Sequence, residues 1–202
     1  MAITSINQLD PTKIYSYADY LTWVFQDRLE LLKGKVALMS PAPNSGHQQI
    51  SMNLTRPMVN YFYKSTCQLF AAPFDVRLPQ NGENEDSKIY TVVQPDLCVI
   101  CDSSKIDDRG CLGAPDMVVE ILSPGNTQRE MNEKFSLYES AGVKEYWIVT
   151  PMTESVLVYE LSTEGVFIGK KPLTSAEILT TPLFPGLSIS LEEVFAIPPG
   201  MN

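Results

Sequence analysis

Two short apolar segments of this chain each carry one carboxylate: Gln94-Pro95-Asp96-Leu97-Cys98-Val99-Ile100 and Asp116-Met117-Val118-Val119-Glu120-Ile121-Leu122. An unpaired charge buried in an apolar strand costs several kcal/mol, so two of them in neighbouring strands ask for a cation. Strand periodicity puts Asp96, Cys98 and Ile100 on one face, and Val118, Glu120 and Leu122 on one face of the next segment. Asp96 opens its strand and Glu120 stands near the end of its own. If the two pair antiparallel, those ends coincide and the carboxylates meet. A hard divalent cation such as Mg²⁺ takes oxygen ligands, commonly one or two carboxylates together with waters and substrate phosphate. Held there, it polarises a phosphoryl oxygen and makes a hydroxide nucleophile from water. A plainer reading stands beside this one. Asp96 after Pro95 also suits a turn or cap, and Pro115-Asp116 repeats that dipeptide.

A helix is expected after the second segment, capped by Asn126 or Thr127 and ended by Gly142. At about 100° per residue, Met131, Phe135 and Tyr138 form its buried stripe, and Lys134 leaves from the border of that stripe. Two readings of Lys134 stay open: a surface ion pair with Glu130, four residues earlier, or an active-site role. His47 is the single histidine of the chain. That leaves zinc clusters of the histidine type poorly supported and allows one candidate base for a Ser-His-Asp triad.

The elements that must position these residues read as mixed α/β. A short helix is expected around Ser16–Trp23, and a hairpin over Arg28–Leu32 and Lys35–Met39 turning at Lys33-Gly34. Pro41 to Gly46 is a loop by composition. Ile50, Leu54, Met58 and Tyr61 recur at helical spacing, which predicts an amphipathic helix from His47 to Tyr63 with Pro57 as a kink or break. Leu69–Ala72 and Phe74–Leu78 read as one long or bent strand, and Asp102–Gly113 as a polar connection. Glu145-Tyr146-Trp147-Ile148-Val149 is a third core strand, and the Lys134 helix makes it the parallel partner of the Glu120 strand. A second hairpin is expected over Ser155–Leu161 and Gly165–Ile168. The tail reads as irregular turns with a short helix over Ser190–Phe195.

With 202 residues, 44% hydrophobic and 19% charged, the chain suits one substantial domain over 1–202. The net charge is −9, and residues 1–100 carry 8 basic against 9 acidic groups while the rest carry 7 against 15. Such a chain is a poor non-specific binder of phosphates, so a nucleic-acid role needs a local basic surface or bound metal. Neither a signal peptide nor a membrane span is expected. Cys67, Cys98, Cys101 and Cys111 suit a reducing cytoplasm. Cys98 and Cys101 have the spacing of a metal or redox pair, but strand positions three apart face opposite ways, which favours buried structural thiols.

The run Pro95-Asp96, then Ala114-Pro115-Asp116-Met117-Val118-Val119-Glu120-Ile121-Leu122-Ser123-Pro124, then Lys134, Tyr138, Ala141-Gly142-Val143 and Glu145-Tyr146-Trp147-Ile148-Val149 resembles the Uma-type restriction endonuclease family. Leu38-Met39-Ser40-Pro41-Ala42-Pro43 and His47-Gln48-Gln49-Ile50 resemble its amino-terminal signature. That family belongs to the PD-(D/E)XK nuclease superfamily. The resemblance, over about residues 15 to 195, implies a restriction endonuclease-like core, a mixed central β-sheet flanked by helices with added N- and C-terminal hairpins. It implies cleavage of DNA phosphodiesters with Mg²⁺ or Mn²⁺ held by Asp96 and Glu120, and a homodimer, since such nucleases commonly pair protomers to cut two strands. The superfamily lysine normally follows the second acid by two residues, where this chain has Leu122. Lys134 matches the lysine of the Uma-type pattern, relocated to the helix. His47 opens a helix that often supplies a further site residue, and Glu30 falls where the family tends to carry an acid, without an assigned role. Where members often end the last core strand with Val-Asp-Pro, Val149-Thr150-Pro151 has no carboxylate, so Thr150 gains no site role. A catalytically silent member of the same fold, serving as a dimeric interaction or nucleic-acid-binding module, is the alternative. A carboxylate-pair glycosidase stands behind both, because two Trp residues and no evident aromatic platform speak against it.

Overall fold

The structure, a computed structural model, describes residues 3–25, 27–39, 44–80, 82–123, 125 and 128–196, with the side chains of Arg129 and Glu130 outside that description. The expected caps Asn126 and Thr127, the Pro41-Ala42-Pro43 stretch and the Glu130–Lys134 pair therefore lie outside the described residues.

The core sheet is built from the segments the sequence marks most strongly. Strands β3 (Gln68–Ala71), β6 (Leu97–Ile100), β9 (Met117–Ile121), β10 (Glu145–Thr150), β11 (Ser155–Leu161) and β12 (Phe167–Gly169) lie in the order β12-β11-β10-β9-β6-β3, with β13 (Leu173–Thr174) also pairing β11. β6 and β9 run antiparallel with Leu97 opposite Val119, and β9 and β10 run parallel with Glu120 opposite Ile148. Every residue of β6 and β9 is buried, as both faces of the sheet are covered.

Two helices supply that cover. In α2 (Ser45–Phe62) the buried Ile50, Leu54, Met58 and Phe62 repeat every four residues and share a core with Leu97, Val99, Met117, Val119 and Trp147. The helix starts at Asn44, whose side-chain oxygen accepts from the His47 backbone N–H at 2.8 Å, and it continues through Pro57 without a break. On the other face, Leu137 and Tyr138 of α3 (Gln128–Ala141) pack with Cys98, Ile100, Val118, Tyr146 and Ile148. α3 is the crossover between the parallel strands β9 and β10. It ends as expected at Gly142, whose φ of +85° suits glycine.

A second sheet takes the remaining short strands in the order β2-β1-β5-β4-β8-β7. These are β1 (Leu29–Leu32), β2 (Lys35–Leu38), β4 (Val76–Arg77), β5 (Val92–Val93), β7 (Ile106–Asp107) and β8 (Gly110–Leu112). The β1–β2 hairpin turns at Lys33 and Gly34, both at positive φ, which matches the expected tight turn. The segment read as one long strand from Leu69 to Leu78 instead divides: β3 joins the core sheet and β4 the second sheet. Asp102–Gly113, read as a connection, holds β7 and β8.

The tail is more ordered than its composition suggests. β14 (Ile178–Thr180) and β15 (Ser188–Ser190) form a hairpin, and α4 (Leu191–Phe195), capped by Ser190, adds Leu191 and Val194 to the α2 side of the core. The short helix expected near the amino terminus is α1 (Tyr17–Tyr20). Among the described residues, no helix is long and apolar enough to cross a membrane.

The cysteines require a correction. Cys98 is a buried free thiol as expected, and Cys111 is another, but Cys101, expected as a buried thiol with Cys98, is joined to Cys67 in a disulfide. The register pairs Gln68 with Ile100, so one step outward the strand ends set position 67 against 101.

Candidate functional site

The antiparallel register that sets Leu97 opposite Val119 brings Asp96 and Glu120 to the same end of the β6–β9 pair. Asp96 extends the ladder with its side chain: Oδ2 accepts the Ile121 N–H at 2.7 Å. The carbonyl of the same residue, Ile121, accepts from His47 Nε2 at 3.1 Å, and that ring nitrogen lies 3.5 Å from Asp96 Oδ2. His47 reaches this point from the first turn of α2, so the helix and both strand ends are tied at one residue, Ile121. With Nε2 donating to a carbonyl, Nδ1 is the lone-pair nitrogen of the neutral ring, and it is buried without a partner among the described residues. Burial works against the imidazolium, but the hydrogen bond and charge of Asp96, helped by the Ile121 carbonyl and Glu120, outweigh it and raise the pKa of His47.

Glu120 is served from α3. Lys134 Nζ donates to Glu120 Oε1 at 3.0 Å, and the Tyr138 hydroxyl, one turn on, donates to the same oxygen at 2.7 Å. The lysine has a second acidic partner, Glu30 Oε1 of β1, also at 3.0 Å. Glu30 is itself fixed by the Gln94 backbone N–H at 2.8 Å. One ammonium thus bridges the core sheet and the second sheet.

The electrostatics follow from that burial. Desolvation pushes the Glu120 carboxyl up to about 7, with Lys134 opposing and the Asp96 and Glu30 carboxylates adding to the rise. Burial works against the charge on Lys134, but Glu120 and Glu30 together outweigh it and hold the amine protonated above its ordinary range. Lys134 is therefore the buried cation that Glu120 and Glu30 share, and its surroundings favour the charged amine.

Apart from Tyr138, these groups line one cleft of about 360 Å³, to which Glu30, His47, Asp96, Glu120, Leu122 and Lys134 contribute. Asp96 is its most open acid, with 21% side-chain exposure against 12% for Glu120 and 4% for Glu30. Among the described residues lining the cleft, three carboxylates outnumber two cations, Lys134 and Arg28, a balance of −1 with His47 neutral and all three acids ionised. Among the described residues, no three His, Cys, Asp or Glu side chains are grouped closely enough to hold a metal ion by themselves. The donor set nevertheless fits Mg²⁺, which commonly takes one or two carboxylates and fills its remaining positions with water and phosphate oxygen. The Lys134 and Tyr138 bonds to Glu120 both fall on Oε1, and neither engages Oε2.

All four sequence-expected residues, His47, Asp96, Glu120 and Lys134, meet here. Glu30 is an integral member rather than an acid without a role. Leu122, standing at the usual lysine position, lines the cleft, and Lys134 reaches Glu120 from the helix. Thr150 is absent from the residues lining the cleft. Tyr138 was legible only as core. Its signal was available, since a buried tyrosine hydroxyl needs a partner and Tyr138 follows Lys134 by one helical turn.

Comparison with known proteins bears on the fold and the family. A crystal structure described as a putative nuclease belonging to DUF820, from Anabaena variabilis ATCC 29413, matches the fold with a TM-score of 0.66 at 18% sequence identity, covering 89% of this chain and 97% of that one. An uncharacterized protein of Synechocystis, slr1290, is 25% identical over 150 residues, which is 73% of this chain and 74% of the relative. The Uma2 family model, described as "Putative restriction endonuclease", matches residues 17–192 and so spans every residue of the cleft cluster. The chain belongs to the Uma2 family.

Proposed function

We propose that this protein is a metal-dependent endonuclease that hydrolyses DNA phosphodiesters, with Asp96 and Glu120 as the ligands of Mg²⁺ or Mn²⁺. The observation that carries the reading is the meeting of these carboxylates at the end of the β6–β9 pair, on a cleft that also holds a buried lysine. When bound, the metal supplies Lewis-acid stabilisation of the scissile phosphate and a more acidic water. It also turns the cleft from −1 to +1, a sign suited to a polyanion.

The chain's own residues have separable tasks. Tyr138 and Lys134 orient Glu120, and His47 and the Ile121 N–H orient Asp96. Glu30 holds Lys134 at the site and keeps it charged, where the ammonium offsets negative charge developing on the phosphate. Two protomers acting together would suit double-strand cleavage.

A second reading is a restriction endonuclease-like module that binds nucleic acid without cutting it. One observation favours it: Lys134 is engaged by two carboxylates, and no lysine follows Glu120 by two residues. The test is purified protein on plasmid, single-stranded and branched DNA with Mg²⁺ or Mn²⁺, beside Asp96→Ala, with Mn²⁺ titrated calorimetrically. Cleavage by wild type and loss of both cleavage and Mn²⁺ binding in the variant support the nuclease. DNA binding without cleavage under every condition supports the silent module.

A further inference from the structure

Among the described residues, two cations line the cleft, and they are not equivalent. Lys134 is shared by Glu30 and Glu120. Arg28, just ahead of β1, is exposed, and its hydrogen bond is to a neutral group: Nη2 donates to the Gln94 side-chain oxygen at 3.1 Å. Gln94 is a rigid anchor. Its side-chain N–H donates to Asp75 at 2.8 Å, its backbone N–H donates to Glu30, and the residue is buried. A guanidinium has five donors and keeps its charge at any ordinary pH. Arg28 is thus positioned by an amide, with no carboxylate among the described residues paired to it. The described Arg56, Arg77 and Arg109 are each paired with an Asp or Glu and do not line the cleft.

The α2 side of the same cleft presents Gln48, Ser51 and Thr55, at helical spacings of three and four, with no charge among them. A strand lying along the cleft would therefore meet neutral hydrogen-bonding groups from α2 and a cation at Arg28.

We propose that Arg28 binds a backbone phosphate of the nucleic-acid strand, next to the phosphate that faces Asp96 and Glu120, with Gln94 as its positioning residue. This rests on the nuclease reading and adds to it a residue that holds substrate. A charge-assisted contact of this kind is worth roughly a tenfold or larger change in affinity.

The experiment compares wild type, Arg28→Ala and Arg28→Lys on one labelled duplex, reading KM and kcat with Mg²⁺ and binding by fluorescence anisotropy, from roughly 50 to 200 mM salt. Melting temperature and Mn²⁺ titration report whether the fold and the carboxylates are intact. Expected for Arg28→Ala is a KM and Kd raised about tenfold and a log–log salt slope shallower by about 0.9, with melting and Mn²⁺ binding unchanged. Arg28→Lys, which keeps the charge and loses the fork, should recover the slope and part of the affinity. If wild type cuts or binds the duplex and Arg28→Ala matches it in KM, Kd and salt slope, the Arg28 assignment is wrong while the nuclease or module reading survives. If wild type neither cuts nor binds, the nuclease reading falls and the assignment falls with it.

Discussion

Glu120 and Glu145 sit in adjacent parallel strands, both buried and both with carboxyls raised by burial, yet they do different work. Glu120 shares a core face with α3, where it meets a lysine, a tyrosine hydroxyl and two further carboxylates on an open cleft. Glu145 shares the opposite face with Trp147, two residues on. Its oxygens accept the Trp147 indole N–H and the Thr181 hydroxyl, both neutral donors, and it is absent from the cleft lining. Neutral donors meet the burial of one acid in part, opposing the rise in its pKa without adding charge. Several acids around one cation leave excess negative charge at a surface, which the proposed function assigns to a metal ion. An acid in an apolar strand is therefore a sign of function only together with its neighbours.

The sharpest way to break that contrast is to neutralise each acid in turn. Glu120→Gln should lower kcat/KM for cleavage on the order of 10³-fold, since it removes a charged ligand of the proposed site. Glu145→Gln should leave cleavage within about twofold, because its contacts are all on the far face. Equal losses in two variants that both remain folded would mean that Glu120 contributes no more to the site than an ordinary core acid.

Lys134 gives the next largest effect, this time on stability. Lys134→Met leaves Glu30 and Glu120 buried without their cation, and removing one partner of a buried pair typically costs about 3–5 kcal/mol. Urea unfolding should show that loss, and millimolar Mn²⁺ should restore more stability to the variant than it adds to wild type. A variant as stable as wild type, or indifferent to Mn²⁺, would show that the ammonium does not balance the carboxylates.

Much of this was legible because the core elements are long enough to display their period. The β9 run, the α2 repeat and the α3 stripe carry their burial in their spacing, and the parallel crossover followed from their order. Asp96 and Glu120 were legible for the same reason: strand position alone fixes which ends meet when two strands pair antiparallel. The second sheet was not, because β4, β5 and β7 are two residues each and two residues have no period. Partner choice was equally hidden. Glu30 reaches Lys134 from β1 across more than half the chain, and the Cys67–Cys101 bond depends on the β3–β6 pairing rather than on any local motif. Gln94, ahead of the strand that Asp96 opens, carried no signal of its own in the sequence and is the joint between Arg28, Glu30 and Asp75.

Removing Glu145 rather than neutralising it should cost less than the lysine. Glu145→Ala deprives the Trp147 N–H of its acceptor and the Thr181 hydroxyl of one, for a loss of about 2 kcal/mol in urea unfolding. Glu145→Gln should lose less, since its amide oxygen still accepts from Trp147 and its amide N–H can donate to Thr181. If both variants lose equally, the carboxylate's charge rather than its hydrogen bonding holds the site together.

The smallest effect is the pH dependence that Glu145 contributes. Burial raises its carboxyl above 4.5, and the Thr181 and Trp147 hydrogen bonds oppose that rise without cancelling it. Below the ordinary carboxylate range, folded and unfolded chains both carry the proton and the buried group is neutral. As pH rises past about 4.5 the unfolded chain releases its proton first, so stability falls through the window up to the folded carboxyl's own pKa and is level beyond it. Glu120 titrates in the same region, but it is present in wild type and in Glu145→Gln and cancels in their difference. The stability of wild type minus that of Glu145→Gln, from urea midpoints taken between roughly pH 4 and 8, should therefore decline with rising pH and then flatten. A difference that grows with pH would mean that the two neutral donors outweigh burial and favour the ionised acid, and the contrast with Glu120 would then rest on the cleft alone.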